Sequence, residues 1–339
     1  MSETPEECLA RVVTVKSLSN IPGADRIELA RVLDWNVIVK KGDFEVNDVA
    51  IYISINSILP ADKESTKFLL GKPLKTKKMR GCISQGLLLS LKDVAEFGIT
   101  ELKLDDDLTA ALGITKNIPQ EERGEYARVT DPALAFPSQA RKTAEARIQN
   151  CGKDLECLAG KRVVVSQKLD GTSTTFATIA GEFIVCGRNF RVQDIPGNSH
   201  YFKVVHDLSL AEKMLALGRD IAIQGETVGP KINCNRMKLD SVEFCVFNIF
   251  DITAQCYLEH EEVLKVTSAL SLKTVPIVHY GIIPEDLLSV KALLDLADSQ
   301  RYAKGDVAEG IVVKSDTDLN VVRYSMKVIS NEYLIKHKL

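Results

Sequence analysis

The sequence predicts a two-part α+β protein: a small all-β barrel or sandwich, then a larger domain of largely antiparallel sheet with helices. Three observations carry this. Residues from about 8 to 60, and again around Lys78 to Leu91, hold short β-rich runs broken by frequent turns. From Arg162 onward, longer apolar strands alternate with segments of helical spacing. The chain of 339 residues is long for one domain and comfortable for two.

In the first part, Arg11-Val12-Val13-Thr14-Val15 reads as a strand. The stretch from Ser19 to Asp25, with Asn20, Pro22 and Gly23, reads as a loop. Ile27 to Val39 splits into two strands near Asp34-Trp35, and Lys41-Gly42-Asp43 turns the chain into a run from Val49 to Ile55. Further strands between Lys78 and Leu91 turn through Gly81 and Gly86. Trp35, the only tryptophan, is assigned to the barrel core rather than to stacking on a base. Lys72 to Arg80 is the strongest basic cluster, and fits either a solvated loop or a phosphate-contacting one.

Residues from about 92 to 135 are mixed, with acids at Asp105 to Asp107 and in Glu121-Glu122-Arg123-Gly124-Glu125, and part of them reads as a linker. Thr143 to Asn150 is expected to be a short helix carrying Arg147. Leu208 to Leu217, ending at Gly218, and Glu285 to Arg301 have helical spacing. Strands are expected at Phe183–Gly187, Ile221–Gly225, Glu243–Ile252, Glu309–Lys314 and Asn320–Ile329.

Composition narrows the function classes. The net charge of −3 and pI near 6.0 give no global basic balance, so any polyanion site must be a local patch. No apolar run reaches bilayer-spanning length, and the N-terminal MSETPEECLA lacks a basic region followed by an apolar core; a cytoplasmic chain is expected. The eight cysteines form no Cys-x-x-Cys pair and several lie in apolar runs, which suits reduced, buried thiols. Without His-x-x-x-His spacing among the histidines, a zinc site is not expected.

The chemistry centres on Val163-Val164-Val165-Ser166-Gln167-Lys168-Leu169-Asp170-Gly171-Thr172. Side chains alternate along a strand, so Lys168 and Asp170 share a face while Leu169 turns into the packing. A lysine beside a carboxylate at a strand end, before a glycine that lets a ligand approach, suits covalent chemistry. Its amine must be neutral to attack, and a nearby metal held by a carboxylate would favour that form. Asp-Gly is also a common hairpin corner, which is the alternative for this stretch alone.

Further motifs follow in order. Arg188 opens a turn after Phe183–Gly187, where a guanidinium could grip a phosphate or meet a ribose edge. Gln224-Gly225-Glu226-Thr227-Val228-Gly229-Pro230 sets a carboxylate between glycines, able to accept hydrogen bonds from ribose hydroxyls. In Val246-Phe247-Asn248-Ile249-Phe250-Asp251 the two aromatics fall on opposite faces, one for the core and one for a base. Ala308-Glu309-Gly310 places another acid at a strand start. Arg323, Ser325 and Lys327 share a strand face, and Lys327 could polarise an α-phosphate. Read singly, each acid is a turn residue and each cation a solvated one.

Taken in order, these elements resemble the covalent nucleotidyltransferase superfamily of ATP-dependent ligases and capping enzymes. The match runs from about Arg141 to the C-terminus and rests on Lys168, Asp170, Gly171, Arg188, Glu226, Phe250, Asp251, Glu309 and Lys327. Gly225-Glu226-x-x-Gly229-Pro230 and Glu309-Gly310-Ile311-Val312-Val313-Lys314 are similar to RNA-ligase forms, and the whole chain resembles the Deinococcus/Naegleria-type RNA ligases. Pro22 to Ala30 resembles their N-terminal OB-like domain, and Thr143 to Asn150 their element before the lysine motif.

The resemblance implies an α+β fold, with an OB-like β-barrel at 1–115, a linker at 116–135 and a nucleotidyltransferase domain with antiparallel sheets and flanking helices at 136–339. It implies an ATP-dependent RNA ligase that joins 3′-OH and 5′-phosphate RNA ends, as at a nicked duplex, through lysyl-AMP and RNA-adenylate in RNA repair. The chain is taken as a monomer without membrane attachment. Lys168 would be the nucleophile and Lys327 would grip the α-phosphate. Arg147, Arg188, Glu226 and Phe250 would bind the nucleotide, with Glu226 on ribose and Phe250 on adenine. Asp170 and Glu309 would hold Mg²⁺ or Mn²⁺. There are departures: the last motif has one lysine, Lys327-Val328-Ile329, where relatives carry Lys-x-Lys, and there is no Gly-rich phosphate loop. DNA nick sealing, RNA capping and non-catalytic RNA binding are the alternative functions.

Overall fold

The computed structural model describes residues 8–117, 134–143, 145–196, 199–318 and 323–339. The acidic run at 121–125 and most of the expected linker lie outside those residues. Two compact units divide the chain, Met1–Pro119 with Leu334–Leu339, and Gln120–Tyr333.

The first unit is a nearly closed barrel. Strands β1 (Ala10–Asn20), β2 (Ile27–Val32), β3 (Trp35–Lys40), β4 (Val49–Ile53), β5 (Ser57–Ile58), β6 (Lys77–Met79), β7 (Cys82–Ser84), β8 (Leu87–Leu89) and β9 (Thr115–Lys116) build it. The main sheet runs β3-β2-β1-β4-β8. One long strand serves two neighbours: β1 pairs with β4 through Ala10–Thr14 and with β2 from Val15 to Asn20, across a bulge between Val15 and Ser17. Such a bulge bends the strand and curls the sheet. Closure comes from the far edge, where the Gln85 amide donates to Asn36 O at 2.8 Å and the Ile38 amide to Ser84 Oγ at 2.9 Å. Trp35 is buried and stacks on Tyr52 with ring centroids 5.6 Å apart, the core role its sequence context predicts.

The second unit has two sheets. Strands β10 (Ala146–Arg147), β11 (Arg162–Lys168), β18 (Ile277–Ile282), β19 (Gly310–Ser315) and β20 (Ser325–Ile329) form one, in the order β10-β20-β19-β11-β18. Strands β12 (Thr172–Ile179), β13 (Glu182–Cys186), β14 (Ile221–Val228), β15 (Glu243–Asp251) and β16 (Cys256–Tyr257) form the other, in the order β13-β12-β14-β15-β16, with β17 (Lys273–Thr274) beside β15. Helix Val290–Ser299 buries Val290, Leu293 and Ala297 in a core with Val163, Val165, Ile311 and Val313 of the first sheet. Helices Ser199–Leu208, Leu210–Ala216 and His260–Leu270 cover the second sheet over Phe176, Ile221, Ile223, Phe244 and Val246. Alternate residues of each strand therefore leave one sheet face for packing and one for chemistry.

The chain passes between these sheets at Asp170-Gly171, since β11 pairs only with β18 and β19, and β12 only with β13 and β14. The hairpin alternative for this stretch is excluded. A Cβ on Gly171 would lie 2.3 Å from Thr227 O, so only glycine permits the crossing.

Three local expectations are corrected. Around Arg147 there is no α-helix: Ala146–Arg147 pairs in parallel with Met326 and Lys327, followed by a 3-10 turn at Ile148–Asn150. Ser209 adopts φ 49° and splits the helical stretch in two, and the helix from Ser199 before it was not anticipated. The helix expected from Glu285 begins at Val290, where Ser289 caps it by accepting from the Ala292 amide.

Candidate active site

Strand pairing assembles the site. In the register of β11 with β19, Lys168 stands opposite Gly310, which brings Glu309 beside it. Lys168 Nζ donates to Glu309 Oε2 at 2.7 Å. In β20, Lys327 pairs with Val312 on one side and Arg147 on the other. Glu226 comes from the second sheet, on β14 opposite Ser173. These elements line a cavity of about 490 Å³, the size of a small-molecule site. Its wall includes Lys168, Asp170, Arg188, Glu226, Glu309 and Lys327, six of the residues singled out from sequence.

The electrostatics follow from crowding. Burial alone lowers the Lys168 pKa, but the fields of Glu309 and Glu226, the Glu309 hydrogen bond and Glu145 outweigh it and raise it above the ordinary lysine value. The amine is thus held as a cation in the ligand-free site. Burial pushes Glu226 up to about 8, with Lys168 opposing and Glu309, Glu145 and Asp170 adding repulsion. A carboxyl raised from its ordinary 4.5 stabilises the fold below that value, and its contribution is lost as pH climbs through about 8. Glu226→Gln should therefore gain thermal stability over the wild type between about pH 4.5 and 8 and hold that gain above. Melting curves across this range, without nucleotide or metal, check it; a gap that does not change with pH contradicts it.

Asp170 lines the cavity from the crossing turn. It is buried, and its carboxylate accepts from three donors: Arg236 Nη1 at 2.8 Å and Tyr333 Oη at 2.6 Å on one oxygen and Asn233 Nδ2 at 3.2 Å on the other. Asn233 also donates to Gly171 O at 2.5 Å. A carboxylate so engaged anchors the crossing turn.

Phe250 does not reach the cavity. It is fully buried among Ala177, Ala222 and Ile252, meets Tyr257 edge-on, and lies under the Arg141 guanidinium at 5.3 Å. The aromatic of this strand on the wall is Phe247, and His200 and Tyr201 line the cavity from another element. The register shows why. Gln224 pairs with Asn248 and Gly225 with Val246, so Phe247 is the extra residue of a bulge. A bulge re-aims a side chain that strand parity would assign elsewhere.

Sequence reasoning missed several contributors. Lys314 is buried, donates to the Phe247 carbonyl and to Asn248 Oδ1 at 2.7 Å, and is held well below the ordinary lysine value by burial and by Arg323. Glu145 and Lys231 also line the cavity. Tyr302 Oη donates to Lys168 O at 3.2 Å and accepts from the Glu309 amide at 3.0 Å, tying the two strand ends together. None of these has a motif; the only available signals were Lys314 and Phe247 inside strands already singled out. Tyr302→Phe should lose about 1–3 kcal/mol of stability through the unpaired buried groups and slow the chemistry of Lys168. Urea unfolding and a single-turnover assay measure the two effects, and a variant unchanged in both refutes the bridge.

A positioned lysine, two acids beside it and cations around a nucleotide-sized cavity define the lysine-dependent nucleotidyltransferases. A sequence model described as RNA ligase matches residues 161–329, and one described as an OB-fold domain matches residues 9–91. No curated protein matches the chain significantly. Among solved structures it is similar to Naegleria gruberi RNA ligase. The lysine-to-methionine variant with AMP and Mn is 30% identical with a TM-score of 0.85, over 97% of this chain and 99% of that one. A lysine-to-alanine variant with ATP and Mn is 30% identical with a TM-score of 0.83, over 98% of each chain. The pyrophosphate-bound form is 30% identical with a TM-score of 0.84, over 98% and 99%. The chain belongs to the RNA ligase family, and it carries the N-terminal barrel in the OB-like form expected.

Proposed function

We propose that this protein is an ATP-dependent RNA ligase that joins 3′-OH and 5′-phosphate RNA ends, and that it serves RNA repair. The observation that carries the reading is the 2.7 Å contact of Lys168 Nζ with Glu309 in a cavity also lined by Glu226, Arg188 and Lys327. The ATP, AMP, pyrophosphate and Mn bound in the similar Naegleria structures support it. The domain limits of 1–115 and 136–339 are part of the same reading, with the six C-terminal residues grouping with the first unit.

In the first step the Lys168 ammonium loses a proton, for which Glu309 is the acceptor in place. The Nζ lone pair then forms a bond to the α-phosphorus of ATP. The bond from that phosphorus to the bridging oxygen breaks, and pyrophosphate leaves. Lys327 and Arg188 bind phosphate oxygens, with Arg147 as a further nucleotide contact beside Lys327. Glu226 accepts from a ribose hydroxyl, and Phe247 rather than Phe250 offers a face to the base. AMP then passes from Lys168 to the RNA 5′-phosphate. A 3′-hydroxyl displaces it and closes the phosphodiester.

The residues also fit a divalent cation. Glu309 and Glu226 are hard oxygen donors, and burial, with Glu309 adding repulsion, pushes Glu226 up to about 8, a set short of positive charge. Among the described residues no group of three or more His, Cys, Asp or Glu could hold a metal ion by itself. Mg²⁺ or Mn²⁺ would therefore be held by Glu309, with Glu226 nearby, together with ATP oxygens and water. When bound, the ion supplies charge neutralisation at the phosphates and favours the neutral amine. Asp170 supports this from behind, through Arg236 and Tyr333. The test is incubation with α-labelled ATP and metal, followed by a denaturing gel. A covalent adduct that is chased into RNA supports the reading, and noncovalent nucleotide alone refutes it. Among the described residues no helix is long and apolar enough to cross a membrane.

A further inference from the structure

We propose that the β6–β7 hairpin of the N-terminal barrel is a docking site for the RNA phosphate backbone. The inference rests on the ligase reading for its partner. The observations come from the first unit alone.

The first observation is charge. Between Glu64 and Asp93 the sequence has no acid, but it has Lys67, Lys72, Lys75, Lys77, Lys78, Arg80 and Lys92. This occurs in a chain whose net charge is −3. A local field of this sign is not a by-product of overall composition.

The second is that the field is left open. Lys72, Lys77, Lys78 and Arg80 are exposed, and among the described residues no carboxylate pairs with any of them. Other lysines do carry ion pairs: in the second unit Lys203 pairs with Asp207 at 2.6 Å, Lys273 with Glu243 at 2.8 Å and Lys291 with Asp295 at 2.5 Å. Lys75 is committed to the Lys338 carbonyl at 2.7 Å, so it is not counted in the patch.

The third is backbone. Lys77 pairs with Ser84, Lys78 with Ile83 and Met79 with Cys82, which leaves Arg80 and Gly81 as a two-residue turn. Both turn residues have positive φ, 48° for Arg80 and 83° for Gly81. Asn, Asp or Gly is favoured at the first of these positions. The turn places Arg80, which is exposed, at the tip of the ribbon. Strand alternation then gives cations on both faces of the ribbon and one at its tip. That arrangement suits a flexible anionic chain laid along or around the hairpin. Phosphate contacts of this kind position RNA without reading its sequence.

The test uses the full chain and the triple variant Lys77→Gln, Lys78→Gln, Arg80→Asn. Asparagine suits the left-handed turn, so the hairpin is kept. Binding of a fluorescent 5′-phosphorylated RNA is titrated at several salt concentrations, and covalent AMP formation is measured in parallel. The expected result is at least a tenfold loss of RNA affinity at about 0.1 M salt. The slope of log affinity against log salt should become shallower by about 2, roughly 0.7 for each of the lost phosphate contacts. AMP formation, which involves no RNA, should stay at the wild-type level and shows that the variant is folded. A control variant, Lys203→Gln with Lys291→Gln, should match the wild type in RNA affinity.

Unchanged RNA affinity and slope in a folded triple variant overturn the proposal. So does a parallel loss of AMP formation in a variant with a wild-type melting temperature, which would assign these cations to the ATP phosphates. An equal loss in the control variant would reduce the effect to net charge and overturn it too. If the wild type forms no AMP adduct, the ligase reading has failed, and the RNA titration still decides the hairpin's role with melting curves as the folding check.

Discussion

Lys168→Ala is expected to abolish covalent AMP formation while leaving noncovalent ATP binding within about tenfold of the wild type. The first effect is chemical: strand register places Nζ of Lys168 against Glu309, and the substitution removes that amine. Lys314 and Lys327 also line the cavity, but Lys314 is committed to the Phe247 carbonyl and Asn248. Lys327 lies one strand further along the sheet, since β19 separates β11 from β20. The second effect follows because most nucleotide contacts belong to other residues. The substitution also removes the cation that opposes the rise at Glu226, so that carboxyl should protonate at higher pH than in the wild type. Intact mass after incubation with ATP and metal reads the adduct, and equilibrium dialysis reads binding. Retained adduct in a variant freed of pre-bound AMP would overturn the assignment of Lys168.

Glu309→Gln is expected to slow the first step by about 10²–10⁴-fold, the range for losing a positioned proton acceptor. It should also move the pH profile. Adenylylation needs the neutral amine, so its rate rises as pH passes the Lys168 pKa. Burial lowers that pKa and Glu309 is the largest influence raising it. Removing the carboxylate lowers the pKa, so the residual rate should reach its plateau at lower pH than in the wild type. Single-turnover rates across pH separate the two effects. A lower plateau with an unmoved midpoint would mean that Glu309 does not control the charge on Lys168.

Much of this site is legible in the chain because its residues sit where strands begin and end. Lys168 closes β11, Glu309 precedes β19, and Glu226 lies within β14 between glycines. A short strand followed by a glycine leaves a side chain at an edge, and pairing then brings such edges together. Lys168 and Glu309 are 141 positions apart in sequence, yet strand register makes them neighbours. What could not be read depends on tertiary approach or broken periodicity. Arg236, Tyr333 and Tyr302 come from turns and a helix start with no repeating pattern, and they matter only because Asp170 and Glu309 meet them. Phe247 was hidden by the bulge in β15, because parity counting assumes a regular strand. The stretch around Arg147 resembles a helix in composition, but pairing beside Lys327 makes it a strand. Nearest-neighbour preference yields there to the sheet edge, where an unpaired row of β20 backbone groups takes a partner.

The fold explains why Lys168 is held charged in the ligand-free site. Two acids and one lysine share a cavity whose burial penalises any unpaired charge. ATP and a divalent cation would bring both signs of charge to this set, releasing the amine when its target is bound.

The central claim is that AMP passes from Lys168 to an RNA end, and one measurement addresses it most directly. The purified enzyme, loaded with labelled AMP and freed of ATP, is mixed with a nicked duplex bearing RNA 3′-OH and 5′-phosphate ends. The label should leave the protein, appear on the RNA 5′ end and then as free AMP, with one sealed strand formed per adduct consumed. Label that remains on the protein, or that is released without any sealed or adenylylated RNA, would contradict it.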